Sequence, residues 1–454
     1  MKNRRIIGSF LILCLIFLNI MPVYAINDSK KIQKQKQQQE TIEGYVNIDW
    51  WRDFGDEYLN EYIVRAIEKN PDLKIATLKV EGARQNVKAQ MSQELPSLTV
   101  GASPSIAKLP TMTKSSASFV MPVIASYEVD IFLKNHDKTK SVRKIYEVSK
   151  LNERATYISI VSAVGSTYYN IVKADELIDM QEQIVSDRKK IFELMKQRNE
   201  QGITSVSDLV KAEKSYVMAN AELSDLIKKR AIMLTTLATL VGDSPENIYE
   251  YKRITYDKIY NQKQIPAKLS SDIITQRPDY LAAEKMLEKA GIDVRVAKKE
   301  FLPTFDIGGL LGFIAASGVS MNWTNALAGA GVVGMLPILT GGRRIASLKI
   351  YKNKYEQAIQ EYQKTNLTAI KEVNDALSNL QYDNEKYEKN LAALNMEQKD
   401  FNLSQSKYNQ GVISYLDLIQ KREVLLSTQQ MVTSSKIDNF VNQINLYKAA
   451  AANL

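Results

Sequence analysis

The chain has 454 residues, with 60 Lys and Arg against 51 Asp and Glu and a formal net charge of +9. A single histidine, His136, excludes His-based metal triads and acid–base pairs, and a single cysteine, Cys14, excludes a disulfide framework. The basic excess is spread along the chain and not clustered, so it does not read as a nucleic-acid footprint.

Residues 1–25 read as a secretory signal peptide. Lys2, Arg4 and Arg5 precede the apolar run Ile6–Ile20, and Val23-Tyr24-Ala25 is a small-residue cleavage site. The apolar run is short for a membrane span of about 20 residues, which disfavours an uncleaved anchor. Cys14 lies inside this segment, with Leu13 before it where a lipoprotein signal wants a small residue. The mature chain is therefore expected to be cysteine-free, unlipidated, and positive by about six charges once Lys2, Arg4 and Arg5 are gone. Residues 26–48 are rich in Lys and Gln and read as a mobile leader.

Next, Trp50-Trp51 to Asn70 reads as a short amphipathic helix with Leu59, Ile63 and Ile67 on one face. Pro71 suits the first turn of a second helix, which stops before Pro96. Residues 97–107 and 116–129 then alternate apolar and polar around a loop at Pro110, the pattern of a strand hairpin. From Asn135 to Gln201 there is no Pro and one Gly, Gly165, which predicts a rod of about 100 Å. Val164, Ile171, Ile178, Val185 and Phe192 recur every seven residues along it, as in helices packed side by side. A second stripe, Leu177, Ile184 and Ile191, is mixed with polar residues, so one face is wet. Gly202 ends the rod and Ser205 starts a return helix over about 206–241.

After an irregular connecting strap over 243–277, with Pro245 and Pro266, the chain repeats itself. Pro71-Asp72 recurs as Pro278-Asp279, 207 residues on, and Gly202 recurs as Gly411, 209 residues on. Strands are expected over 304–316 and 325–338, and a helical hairpin over 343–449. Val373, Leu380, Tyr387, Leu394, Phe401 and Tyr408 repeat the seam, and Gly411 with Ser414 repeats the turn. A period this long is a duplicated half, not a solenoid. The two structural repeats span residues 49–242 and 278–454.

No phosphate loop and no Gly-x-Ser-x-Gly elbow is present, so no enzyme class, cofactor or metal suggests itself. His136 reads as a surface residue, and Gly341-Gly342 as a tight strand-to-helix turn more than an anion cradle. Strands of 10–14 residues are long enough to cross a bilayer when tilted, although a small soluble sheet fits the strands alone equally well. If they are membranous, four per chain cannot close a barrel, because open edges leave backbone groups unpaired in lipid. Two chains would give eight strands with a filled lumen, and three would give twelve, wide enough for water.

The chain resembles the TolC-like outer-membrane efflux proteins, or outer-membrane factors, over nearly all of its mature length. It looks most like the branch paired with RND-type pumps. The motifs are Trp51-x-x-Phe54, Ala66-Ile67-x-x-Asn70-Pro71-Asp72-Leu73, Tyr127-Glu128-Val129-Asp130-Ile131-Phe132, Arg277-Pro278-Asp279, Gly341-Gly342-Arg343 and Glu372-Val373-x-x-Ala376-Leu377. The turns Gly202-x-x-Ser205 and Gly411-x-x-Ser414-x-x-Asp417-Leu418 complete them.

The resemblance implies an α+β membrane protein that forms a homotrimer. Its twelve-stranded β-barrel would lie in outer-membrane lipid, continuous with a periplasmic α-helical barrel. It implies a passive duct for small toxic solutes, working with a periplasmic adaptor and an inner-membrane RND-type or ABC-type pump. It also implies gate roles for Asp417, its repeat partner Asp208, and Tyr408, with adaptor contacts at the turns of Gly202, Ser205, Gly411 and Ser414. Two other readings are a duct for type I protein secretion and a soluble periplasmic coiled-coil scaffold. The chain departs from the family at Leu133, where Gly is usual, at Ile413, where some members have Arg, and at Gln420, where some have a second acid.

Overall fold

The computed structural model describes residues 50–107, 116–246, 251–259, 272–316 and 326–451. The expected signal peptide, the leader, the loops at Pro110 and 318–323, and the part of the strap carrying Pro266 lie outside them. Local chemistry starts each early helix. After a 3-10 turn at Trp50–Phe54, the Asp56 carboxylate accepts from the N–H of Tyr58 (2.9 Å) and Leu59 (3.1 Å) and opens α1 (Glu57–Lys69). Asn70 does the same for α2 (Pro71–Met91), accepting from Asp72 N–H at 2.9 Å and Leu73 N–H at 3.1 Å. Beyond α2 come β1 (Ser97–Val100), β2 (Ser103–Ala107), β3 (Ser116–Glu128), α3 (Lys134–Glu200) and α4 (Val206–Val241). The second half supplies α5 (Pro278–Lys299), β4 (Thr304–Ala316), β5 (Ala326–Met335), α6 (Arg343–Asn409) and α7 (Tyr415–Ala449). The two rods, α3 and α6, are each 67 residues long.

The single strand expected over 97–107 is interrupted, and Pro122 of β3 is the cause. β1 and β2 pair with β3 in one continuous antiparallel register, from Ser97 opposite Ser126 to Ala107 opposite Ser116. Pro122 has no N–H to give, so the ladder breaks opposite it. Gly101 N–H still donates to the Pro122 carbonyl at 2.8 Å, so the strand stays in place. A Cβ on Gly101 would come within 3.2 Å of the Pro122 ring. The sheet is antiparallel, with β3 pairing β4 and β4 pairing β5. Within the described residues, β1–β2 and β5 are edge strands.

The core lies where the halves meet midway along the rods. Trp50 stacks on Tyr447 at 5.0 Å, and Phe54, Tyr169 and Phe440 pack as tilted rings. Tyr168 donates to Asp56 at 2.7 Å and accepts from Ile254 N–H at 2.9 Å, so the strap is tied to α3. Gly165 has a packing reason: a Cβ there would approach Ile444 Cδ1 to 3.1 Å. The copies reuse one anchor with different chemistry. Asn70 Nδ2 donates to the Leu240 carbonyl at 2.8 Å, and Arg277 Nη1 donates to the repeat-related Ala449 carbonyl at 2.7 Å. Arg277 is buried and also pairs with Asp279 (2.7 Å) and Glu372 (2.6 Å).

Among the described residues two non-glycines take left-handed backbone, Leu133 (φ 55°) and Ala451 (φ 50°). Their repeat partners, 209 residues away, are glycines with the same sign of φ: Gly342 (79°) and Gly242 (74°). The turns demand the conformation and each copy meets it once without glycine, at a cost of about 1–2 kcal/mol. Around Leu133 the strain is held by Lys299, whose Nζ donates to the Leu133 carbonyl at 3.1 Å and to buried Asp137 at 2.7 Å. Asp130 adds two contacts, accepting from the N–H of Lys134 and His136 at 2.6 and 2.8 Å. Leu133 is exposed, so replacing it with glycine loses little packing. Leu133→Gly should stabilise the fold by about 0.5–1 kcal/mol, and Gly342→Leu should destabilise it by about 1–2 kcal/mol. Thermal unfolding of the two variants in detergent measures both signs.

Candidate functional site

The seven residues singled out in the sequence gather at two hairpin turns. Gly202 (φ 68°) and Gly411 (φ 73°) close α3 and α6 in the same way. In the first turn Ile203 N–H donates to Arg198 O at 2.8 Å and Gly202 N–H to Asn199 O at 2.9 Å. In the second, Val412 N–H donates to Lys407 O at 2.8 Å and Gly411 N–H to Tyr408 O at 2.9 Å. Both are Schellman closures, which need a residue at positive φ.

The outgoing helices are capped by serine. Ser205 Oγ accepts from Asp208 N–H at 3.1 Å and donates to the Asp208 carboxylate at 2.7 Å. Ser414 Oγ accepts from Asp417 N–H at 3.2 Å and donates to Asp417 Oδ2 at 2.7 Å. Ser414 N–H also donates to Asp417 Oδ2 at 3.1 Å, completing a capping box.

The two acids differ in what neutralises them. Lys211 Nζ lies 3.3 Å from Asp208. At the repeat-related position 420 the chain has Gln, and no ion pair reaches Asp417 among the described residues. Hydrogen bonds from Ser414 hold the Asp417 carboxyl below its ordinary 3.8. The Ser205 hydroxyl, then Lys211, do the same for Asp208. Tyr408 packs on Tyr415 of its own hairpin, ring centres 5.8 Å apart, while its repeat partner Asn199 donates to Thr204 O at 2.7 Å. Among the described residues no hydrogen bond or ion pair joins one turn to the other. Around both turns large apolar side chains face solvent: Ile203, Val206 and Val210 in one, Val412 and Tyr415 in the other.

A third feature was not singled out in the sequence, a polar seam where α3 of one half lies along α7 of the other. Lys173 pairs with Asp438 (2.7 Å), Arg188 with Glu423 (3.3 Å) and Arg422 with buried Asp187 (3.3 Å). Burial pushes the Glu423 carboxyl up, and Arg188 pulls it back only in part. A comparison of charges between the copies, residue by residue, is the signal that could have found this seam.

The sheet carries two chemistries. Paired residues share a face. One face holds Leu98, Val100, Val123, Ala125, Tyr127, Phe305, Ile307, Leu311, Ala328, Ala330 and Val332. Ser97, Thr99, Ser126, Glu128, Thr304 and Asp306 fall on the other face, beside Ile124, Leu310 and Val333. That is the pattern of a strand wall with lipid outside and water inside. No helix among the described residues is long and apolar enough to cross a membrane.

A two-faced sheet continuous with paired coiled coils defines a wall segment of a membrane channel. The comparisons agree. The model of the family described as outer membrane efflux protein matches residues 62–243 and 269–452, and the chain belongs to that family. It is 25% identical to the toluene efflux pump outer membrane protein TtgC of Pseudomonas putida, over 88% of this chain and 84% of that one. It is 27% identical to the cation efflux system protein CusC of Escherichia coli K12, over 90% of this chain and 89% of that one. The fold matches the crystal structure of the CmeC outer membrane channel of Campylobacter jejuni with a TM-score of 0.81 at 24% identity, over 90% and 88% of the two chains. The protein is an outer-membrane efflux channel reaching into the periplasm. Its family is one of ducts, which is not a class of enzyme.

The lowered pKa of Asp417 gives a signed expectation. A depressed carboxylate contributes its cap above the ordinary value and loses it as pH falls through the folded one. Local order at the 411–417 turn should therefore persist from neutral pH to about pH 4 and fade only below 3.8. Hydrogen exchange of the Ser414 and Asp417 amides across that range reads it directly.

Proposed function

We propose that the chain is the passive exit duct of a tripartite efflux system. Three copies close a twelve-stranded barrel in outer-membrane lipid, above a helical barrel that crosses the periplasm. The supporting observation is the sheet, which is apolar on one face and open at both edges. An open edge in hydrocarbon leaves N–H and C=O groups unpaired, so lipid requires closure by further strands. Eight strands would enclose a lumen filled by side chains, whereas twelve leave room for water.

The helical tips are the working end. Exposed Ile203, Val206, Val412 and Tyr415, with the turns at Gly202, Ser205, Gly411 and Ser414, form the contact for a periplasmic adaptor. That adaptor links the duct to an inner-membrane pump of RND or ABC type. Asp417, Asp208 and Tyr408 control the aperture. Asp417 carries the uncompensated charge, because Lys211 partners Asp208 and nothing equivalent partners Asp417. Cargo is small toxic solutes. TtgC is named for toluene and CusC for cations, and a duct of this shape leaves most selection to its pump.

In planar bilayers the purified protein should give small, discrete conductance steps and a trimer mass in detergent. A monomer without steps would overturn the reading. Asp417→Asn should weaken block by multivalent cations, or raise conductance, several-fold more than Asp208→Asn. Equal effects from the two would remove Lys211 from the account.

A further inference from the structure

The rods α3 and α6 are equal in length and keep one register, yet they are buried very differently. α3 buries residues along most of its length, while α6 buries four: Ala369, Val373, Ala376 and Ser404. The difference is not one of composition. Leu367 and Ile370 of α6 are 68% and 38% exposed, whereas Ile158 and Val161, 209 residues earlier, are 6% and 1% exposed. The return helices show the same imbalance. Val217 of α4 is 58% exposed and its partner Leu426 of α7 is 5% exposed. Val210 is likewise exposed where Ile419 is buried. The buried members lie where one half faces the other, α3 against α7 and α5. Among the described residues, α6 and α4 have no helix of the other half packed along them.

The sheet shows the same pattern: β3 meets β4 of the other half, while β5 and β1–β2 pair on one side only among the described residues. One side of the chain therefore presents β5 and α6. The other presents β1–β2, α2 and α4. Each set is the repeat equivalent of a surface that packs on the other half inside the chain: β3 with α3 for the first, β4 with α5 and α7 for the second.

We infer that α6 lies along α4 of an adjoining copy in the register of the α3–α7 seam, and that Glu397 of α6 pairs there with Lys214 of that copy. This rests on the trimeric duct proposed above. Charge complementarity carries it to named residues. Inside the chain, Arg188 of α3 pairs with Glu423 of α7 at 3.3 Å. Their equivalents, 209 residues away, are Glu397 and Lys214, so the charges are exchanged and the attraction survives. Neither makes an ion pair with a described residue of its own chain. A second intrachain pair, Lys173 with Asp438, maps to Tyr382 and Lys229, and Lys229 is already paired with Asp225 of its own helix at 2.7 Å. The third, Asp187 with Arg422, maps to Met396 and Glu213, which carry no complement.

Charge exchange tests the pair. Glu397→Lys and Lys214→Glu should each lower the temperature at which the detergent-solubilised trimer dissociates by several degrees, and the double exchange should restore most of the loss. Proximity is tested separately, in the full chain with Cys14→Ala. Glu397→Cys with Lys214→Cys should give covalent dimers and trimers with a short bismaleimide. Glu397→Cys with Lys228→Cys, about 20 Å further along α4, should give none. A trimer by mass with no cross-link at the first pair, or with equal cross-linking at both, overturns this seam and leaves the duct intact. A wild-type monomer overturns the duct reading itself.

Discussion

Hydrocarbon offers a backbone N–H or C=O no partner except another backbone group. The strand edges at β1–β2 and β5 stand unpaired within the described chain, so the sheet is incomplete by itself. The helices below share the condition. Each half is a strand hairpin followed by a helical hairpin, and each leaves one flank bare. The interior flank is satisfied by the other half through Arg188–Glu423, Lys173–Asp438 and the aromatic cluster around Tyr169. The outer flanks keep the backbone arrangement, with different side chains, and lack a partner among the described residues. A wall built from such units grows sideways until it closes.

Much of the fold was legible because its signals are local. Seven-residue spacing located the rods, Gly202 and Gly411 their ends, and Ser205 and Ser414 the starts of the return helices. Most described strands and helices lie within a few residues of where alternation and breakers placed them; the first helix does not, opening at Glu57 after a 3-10 turn where a helix from Trp50 was expected. What could not be read depends on residues far apart in sequence. The break at Gly101-Ala102 is caused by Pro122 across the ladder. Gly165 is small because Ile444 presses on it from the other half. Leu133 departs from the usual glycine at a turn that still requires left-handed backbone, and the contacts that hold it come from Lys299 and Asp130. The polar seam escaped notice because its residues resemble any wet helical face until the two halves are laid side by side.

At the tips the duplication is least faithful. Asp208 and Asp417 occupy equivalent caps, yet one has a lysine a turn away and the other a glutamine. Tyr408 stacks on Tyr415, while Asn199 in the same place secures its own turn through Thr204. In a trimer the ring of hairpins is therefore three-fold in its chemistry and six-fold only in its backbone. Two hairpin types would then alternate around the axis.

The bare flank of α6 also governs the life of the chain before assembly. Leu367, Ile370, Met396 and Leu403 face solvent in a single copy. A newly exported chain must carry that surface through the periplasm until it meets others. Its shelter requires another copy, so productive assembly falls with dilution while collapse within one chain does not. The bare flank of α6 therefore ties the fate of each chain to the concentration of its copies.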